Sequence, residues 1–247
     1  MALKAFCDGT VFGDRLGDGV PRILALHGWG RGRADFAAAL AGLDAIALDL
    51  PGFGASPPPA QPGGARAYAA LLSPVLSEMS SPVTLVGHSF GGRVAACIAA
   101  AHGDRIGGLV LVGTPLVRVG PRRSVPWRYR LVRALHSAGL VSEQRLDRAR
   151  NRFGSADYRA AEGVMRSVLV ETVGESYEAE LAVLSCPVRM VWGEDDTEVP
   201  VSVARSAAAV LEGRGIDVTL EVVPGAGHHL PTTHPEVLRS ALVGAHP

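Results

Sequence analysis

The chain has 247 residues, long enough to bury a large core as one α/β domain with an insertion. Lys plus Arg and Asp plus Glu number 24 each, so no global charge points to nucleic acid or an acidic membrane surface; a small molecule or a locally docked partner is expected instead. The first twenty residues lack a signal-peptide apolar core and no run of about 18 apolar residues occurs, so no membrane span and a cytoplasmic location are expected. Cys7, Cys97 and Cys186 are odd in number and far apart, which argues against a disulfide framework or a zinc site; Cys97 and Cys186 read as small core residues. Neither a metal nor a cofactor is expected. Lys4 is the only lysine.

In chain order, Ile23 to Leu26 predicts a short apolar strand, Ala34 to Leu43 a helix, Ala45 to Leu48 a strand, and Ala65 to Met79 a helix with apolar residues at helical spacing. Val83 to Val86 and Arg93 to His102 repeat the strand-helix unit, Leu109 to Val112 adds a strand, and Gly103 closes the helix between them. After a long interval come the strand Val188 to Trp192, a helix from Val201 to Leu211, the strand Val218 to Val223 and a last helix from Pro235 to Val243. Alternation of this kind, with strands apolar on both faces, predicts a parallel sheet covered by helices on each side. Residues 116–182 break the alternation. They carry no strand-like run, and apolar residues such as Trp127, Leu131, Val132 and Leu135 recur at helical spacing. This segment is expected to be a helical cap inserted into a core made of residues 1–115 and 183–247.

Between the strand ending at Val86 and the following helix stands Gly87-His88-Ser89-Phe90-Gly91. A serine on so sharp a strand-to-helix turn is strained, and glycines two residues before and after remove side chains that would collide. Ser89 Oγ is thereby lifted clear of the sheet beside the free N–H groups of a helix start, the geometry needed for acyl transfer. A serine hydroxyl is too weakly acidic to attack alone, so a general base and an acid to orient it are required. His228 follows the last strand through Pro224-Gly225-Ala226-Gly227, a loop able to carry a side chain back over the sheet edge, with His229 the neighbouring alternative. Glu194, Asp195 and Asp196 follow the strand ending at Trp192. Asp196 is preferred because it lies furthest along that loop, Asp195 is the alternative, and Glu194 reads as solvated. For the oxyanion, the backbone N–H groups of Phe90 and Trp29 are the expected donors; Gly28 and Gly30 let the Trp29 backbone approach the substrate, and Gly28, Trp29 and Trp127 are expected to line the pocket. His27 is expected to fix its loop and His88 to pack behind the elbow.

The set His27-Gly28-Trp29-Gly30, Asp49-Leu50-Pro51-Gly52-Phe53-Gly54-Ala55-Ser56, Gly87-His88-Ser89-Phe90-Gly91-Gly92, Gly193-Glu194-Asp195-Asp196 and Gly227-His228 resembles the α/β-hydrolase superfamily, and covers nearly the whole chain outside the cap. The resemblance implies an eight-stranded, mostly parallel sheet, the triad order Ser89, Asp196, His228, and a serine hydrolase mechanism. Within the superfamily the core is similar to the pimeloyl-carrier-protein methyl ester esterases. Ser89 at the nucleophile position argues against the aspartate-nucleophile dehalogenases and epoxide hydrolases. The expected activity is hydrolysis of small-molecule carboxylic esters through an acyl-enzyme. Thioester or carbon–carbon bond hydrolysis on the same triad, and a catalytically slow ligand receptor, are the alternatives.

Residues 116–152 hold ten arginines against Glu143 and Asp147, whereas residues 153–182 hold Arg159 and Arg166 against six carboxylates. Either the two halves of the cap attract each other, or the basic half guides an anionic substrate or an acidic carrier protein toward Ser89.

Overall fold

The computed structural model describes residues 3–119, 127–146, 148 and 156–244. Eight strands form one sheet in the order β1-β2-β4-β3-β5-β6-β7-β8. These are β1 (Leu3–Phe6), β2 (Val11–Leu16), β3 (Ile23–Leu26), β4 (Ala45–Asp49), β5 (Val83–His88), β6 (Ile106–Val112), β7 (Val188–Gly193) and β8 (Val218–Val223). The pairings of β1 with β2 and of β2 with β4 are antiparallel, and every other pairing is parallel.

Each central strand is buried on both faces, as parallel strands under two helical layers must be. Leu24 and Leu26 of β3 point into one apolar cluster with Leu85, Tyr68 and Val94, while Ile23 and Ala25 point into the other with Val86, Phe36, Leu40 and Leu242. The period of two along one short strand thus feeds both layers. Cys97 and Cys186 lie in the first cluster, and all three cysteines are free.

Three local departures from the sequence pattern have physical causes. The hairpin β1–β2 was not among the expected strands; β1 carries Leu3, Lys4 and Ala5 exposed and is too polar on its outer side to stand out as a core strand. The segment expected to be a helix from Ala34 to Leu43 makes only a 3₁₀ turn, Arg33–Phe36, followed by isolated turns to Gly42 at φ +73°. Asp49 draws this turn in, accepting the Arg33 N–H (2.9 Å) while its other oxygen takes the Arg33 guanidinium and the Ala55 N–H. The helix expected to run to Met79 stops as α1 (Ala65–Leu72) and continues as a 3₁₀ stretch, Ser73–Glu78. Pro74 has no N–H for the helical ladder, and Ser73 Oγ donates to the Ala69 carbonyl (2.7 Å).

The helix after β5 is α2 (Phe90–Ala101). Between β6 and β7, the described residues of the insertion form α3 (Trp127–Ser137), a short helical stretch over 143–146, α4 (Ala156–Ala160), α5 (Gly163–Gly174) and α6 (Glu178–Leu181), and no strand. Met165, Val168, Tyr177 and Leu181 of its second half join the same core cluster as α2. Arg118 donates to the carbonyls of Val173, Gly174 and Glu175, satisfying the open end of α5. Glu175 and Glu180 both face Arg66 of α1, with Arg66 Nη2 donating to Glu180 Oε2 at 2.8 Å. Arg122, Arg123, Arg150 and Arg152 lie outside the described residues, as do the side chains of Trp127, Arg128, Arg130 and Arg133. The chain closes with α7 (Val201–Glu212), α8 (Leu230–Thr233) and α9 (Pro235–Val243). No described helix is long and apolar enough to cross a membrane.

Candidate active site

Ser89 joins β5 to α2 with φ +50° and ψ −110°, a left-handed conformation that costs a non-glycine residue about 1–3 kcal/mol. Its N–H donates to the Val112 carbonyl (2.9 Å) and its own carbonyl takes the Gly92 N–H (3.1 Å), so both flanks are pinned. The glycines around it are sterically required. A Cβ on Gly91 would lie 2.1 Å from the Leu26 carbonyl oxygen, and one on Gly87 would lie 2.4 Å from Gly92 Cα. Phe90 follows as the first helical residue, where the backbone N–H has no intrahelical acceptor.

The loop after β3 runs opposite. Its turn is closed by the Arg31 N–H donating to the Gly28 carbonyl (3.2 Å), and among the described residues the Trp29 N–H has no acceptor. The Trp29 indole packs edge-on against Phe53 (5.0 Å) and Phe90 (5.5 Å). His27 fixes the loop from both ring nitrogens, Nδ1 donating to the Gly28 carbonyl (2.7 Å) and Nε2 accepting the Leu50 N–H (2.9 Å). Its burial lowers its pKa and favours the neutral ring that this arrangement needs.

Asp196 and His228 meet across the ends of β7 and β8. Asp196 is 5 % exposed; its Oδ1 accepts the N–H groups of Glu198 (2.9 Å) and Val199 (2.8 Å), and its Oδ2 accepts from His228 Nδ1 at 2.7 Å. Trp192 Nε1 donates to the Val199 carbonyl (2.7 Å) and ties the loop to β7. With the Nδ1 proton held by the carboxylate, His228 Nε2 is left as the free acceptor. Gly113, at φ +52°, passes close by: a Cβ there would lie 3.0 Å from His228 Nδ1. Asp195 and Glu194 are exposed, and the described contacts of His229 place no carboxylate on its ring.

Ser89, His228, Gly28 and Trp29 share one cleft of about 270 Å3, whose remaining wall includes Arg31, Asp157, Glu198 and His229. Larger grooves of about 600 and 540 Å3 lie elsewhere on the surface, away from Ser89. Of the predicted site residues, the structure brings Ser89, Phe90, Gly28, Trp29, Asp196 and His228 to one edge of the sheet; the Trp127 side chain is outside the described residues. Among the described residues, no group of three His, Cys, Asp or Glu side chains is placed to hold a metal ion. Two neighbours escaped the sequence reading. Glu198 Oε2 stands 3.7 Å from His228 Nε2, and Gly113 clears the space beside the Asp196–His228 pair. The one available signal was Gly113-Thr114 at a strand end, ambiguous without the loop it faces.

Residues 23–241 match the Alpha/beta hydrolase family. The pimeloyl-[acyl-carrier protein] methyl ester esterase of Chromobacterium violaceum is 32 % identical over 89 % of this chain and 91 % of its own length. A 2-hydroxy-6-oxononadienedioate/2-hydroxy-6-oxononatrienedioate hydrolase of Cupriavidus pinatubonensis is 26 % identical over 76 % of this chain and 74 % of its own. Among solved structures, a thermophilic esterase from Thermogutta terrifontis superposes with a TM-score of 0.70 at 22 % identity, covering 97 % of this chain and 96 % of that one. A serine between glycines on a strained strand-to-helix turn, an eight-stranded mostly parallel sheet and a sequence match over almost the whole chain lead to one conclusion: the chain belongs to the alpha/beta hydrolase family.

Proposed function

We propose that this chain is a serine hydrolase of small-molecule carboxylic esters, with Ser89 as nucleophile, His228 as general base and Asp196 orienting the imidazole. The observation that supports the reading is the buried Asp196 carboxylate with three hydrogen bonds, one of them from His228 Nδ1, which leaves His228 Nε2 free to take a proton in the cleft that Ser89 lines. Ser89 Oγ attacks the ester carbonyl carbon as its proton passes to Nε2. The oxyanion is held by the Trp29 and Phe90 N–H groups, and it collapses as the protonated His228 gives its proton to the departing alcohol. His228 then deprotonates a water that attacks the acyl carbon, and the acid leaves with Ser89 restored.

The insertion, residues 116–182, acts as the cap over this cleft. By analogy with the carrier-protein esterase relative, its arginine-rich half steers an anionic substrate or an acidic carrier protein. The free cysteines suit a cytoplasmic location. A second reading, hydrolysis of a carbon–carbon bond in a dienedioate, is favoured by the Cupriavidus pinatubonensis relative and would use the same three residues. The decisive experiment combines a chromogenic short-chain ester, a thioester and a dienedioate with serine-directed phosphonate labelling. Wild type should show an ester burst and a single label at Ser89, and Ser89→Ala should lose both while keeping its thermal melt. An active Ser89→Ala, or a label elsewhere, would remove the nucleophile; turnover of the dienedioate alone would select the second reading.

A further inference from the structure

His88 ends β5 immediately before Ser89, and it is 2 % exposed. Its Nε2 stands 2.9 Å from the His228 carbonyl oxygen, and since a carbonyl only accepts, Nε2 carries the proton. Burial pushes its pKa down to about 3, so the ring stays neutral and keeps this bond over the range in which a serine hydrolase works. Nδ1 is then a bare acceptor, buried and without a partner among the described residues. It faces the loop after β3: a Cβ on Gly28 would sit 2.7 Å from it. Holding a half-satisfied imidazole in the interior costs stability that an apolar side chain of similar size would not.

The benefit is visible in how His228 is mounted. Its side chain is anchored at Nδ1 by Asp196, a bond that fixes one side of the ring. Its backbone leaves β8 through Pro224-Gly225-Ala226-Gly227, a turn with Gly225 at φ +69° that is tied at Ala226, whose N–H donates to the Val223 carbonyl (3.3 Å) and whose carbonyl accepts the Asp195 N–H (2.9 Å), two residues short of His228. The His88 bond fixes the other end of the residue, the carbonyl, and the two rings lie 4.8 Å apart. We propose that His88 is a positioning residue: by holding the His228 carbonyl it sets where His228 Nε2 stands relative to Ser89, and Gly28 stays free of a side chain to give the His88 ring room. This rests on the reading of His228 as the base.

Two substitutions at position 88 separate the hydrogen bond from the space it fills. His88→Phe keeps a ring and removes the donor, whereas His88→Gln keeps a donor near the Nε2 position. Ester turnover gives kcat and KM, and the low-field proton resonance of the His228–Asp196 hydrogen bond in the free protein reports the mount without any substrate. His88→Phe should lower kcat by about 10²-fold with KM unchanged, the cost of a small misplacement of a reacting group, and should broaden or abolish the resonance. His88→Gln should restore most of both. Gly28→Ala, which crowds Nδ1 without altering His88, should weaken the same resonance, so the test stands even where His88→Phe does not fold. Wild-type kcat and resonance in His88→Phe, a His88→Gln no better than His88→Phe, or an unchanged resonance in Gly28→Ala would each overturn the proposal. A resonance lost in His88→Phe and regained in His88→Gln, in a protein that turns over no ester, would uphold the positioning role while removing the esterase reading.

Discussion

Around Ser89 almost every described atom is committed, whereas the described residues of the insertion between β6 and β7 are committed unevenly. At the elbow a single added methyl on Gly87 or Gly91 would strike backbone, and the Asp196 carboxylate has both oxygens engaged. In the insertion, α5 and α6 bury Met165, Val168, Tyr177 and Leu181 in the core, but Leu131 and Leu140 of the first half are 50 % and 72 % exposed. The contrast separates two tasks. The sheet edge holds reacting groups where small errors are costly, and the insertion reaches them at the cleft wall through Asp157 while leaving other side chains to solvent.

The sharpest way to break this contrast is inside the committed region. Asp196→Asn should lower kcat for the ester by about 10⁴-fold, by offering the wrong hydrogen-bond partner to His228 Nδ1, with little change in the thermal midpoint. Asp195→Asn, on an exposed neighbour, should change kcat by less than about twofold, the behaviour of a surface substitution away from any buried partner. A dead Asp195 variant would move the acid by one residue.

The buried polar groups of the committed region also predict a pH signature. His88 falls from its ordinary 6.5 to about 3 on folding, so as pH drops through that window the unfolded chain binds a proton that the folded chain refuses. This contribution to stability is fully present above 6.5 and is lost on acidification toward 3. Urea midpoints measured between pH 7 and pH 4 should therefore fall less steeply for His88→Gln than for wild type; parallel falls would show that His88 is not buried as a neutral ring.

At the junction of the two regions the effect should be small. Arg66 is 45 % exposed, so its pairing with Glu180 and Glu175 is screened, and Arg66→Ala should cost no more than about 1 kcal/mol by urea unfolding. The smallest expected effect belongs to the basic half of the insertion. For an anionic ester, kcat/KM should fall as salt rises, because charges are screened within about 8 Å at physiological ionic strength, while a neutral ester of equal length should respond little. Changing Arg122 and Arg123 to glutamine should flatten the anionic response. Equal responses for both esters would leave the arginines as ordinary surface.

What the sequence made legible follows the same division. Ser89, Gly87 and Gly91 fall within five residues between a strand-like and a helix-like run, so the elbow could be argued before any fold was known, although the clash that demands Gly91 is with Leu26 of another strand. Asp196 and His228 were legible because each follows a strand end, and strand ends in a parallel sheet gather at one edge. Glu198 and Gly113 were not, since their proximity to His228 depends on how three separate loops turn. The early end of α1 was foreseeable from Pro74, but the tight turn at Arg33 depends on Asp49, sixteen residues away and invisible to helical spacing. The pairing of Glu175 and Glu180 with Arg66 was missed for the same reason: charge counts within the insertion cannot show a partner in the core.

Lys4 offers a practical handle. It is the only lysine in the chain, it is exposed on β1, and three strands separate β1 from β5 in the sheet. At about 4.8 Å per strand, the edge that bears it lies some four spacings, roughly 19 Å, from the strand that carries the elbow. Amine-directed immobilisation would therefore find, apart from the terminal amine, a single attachment point, and would fix the protein to a support by one known edge of its sheet.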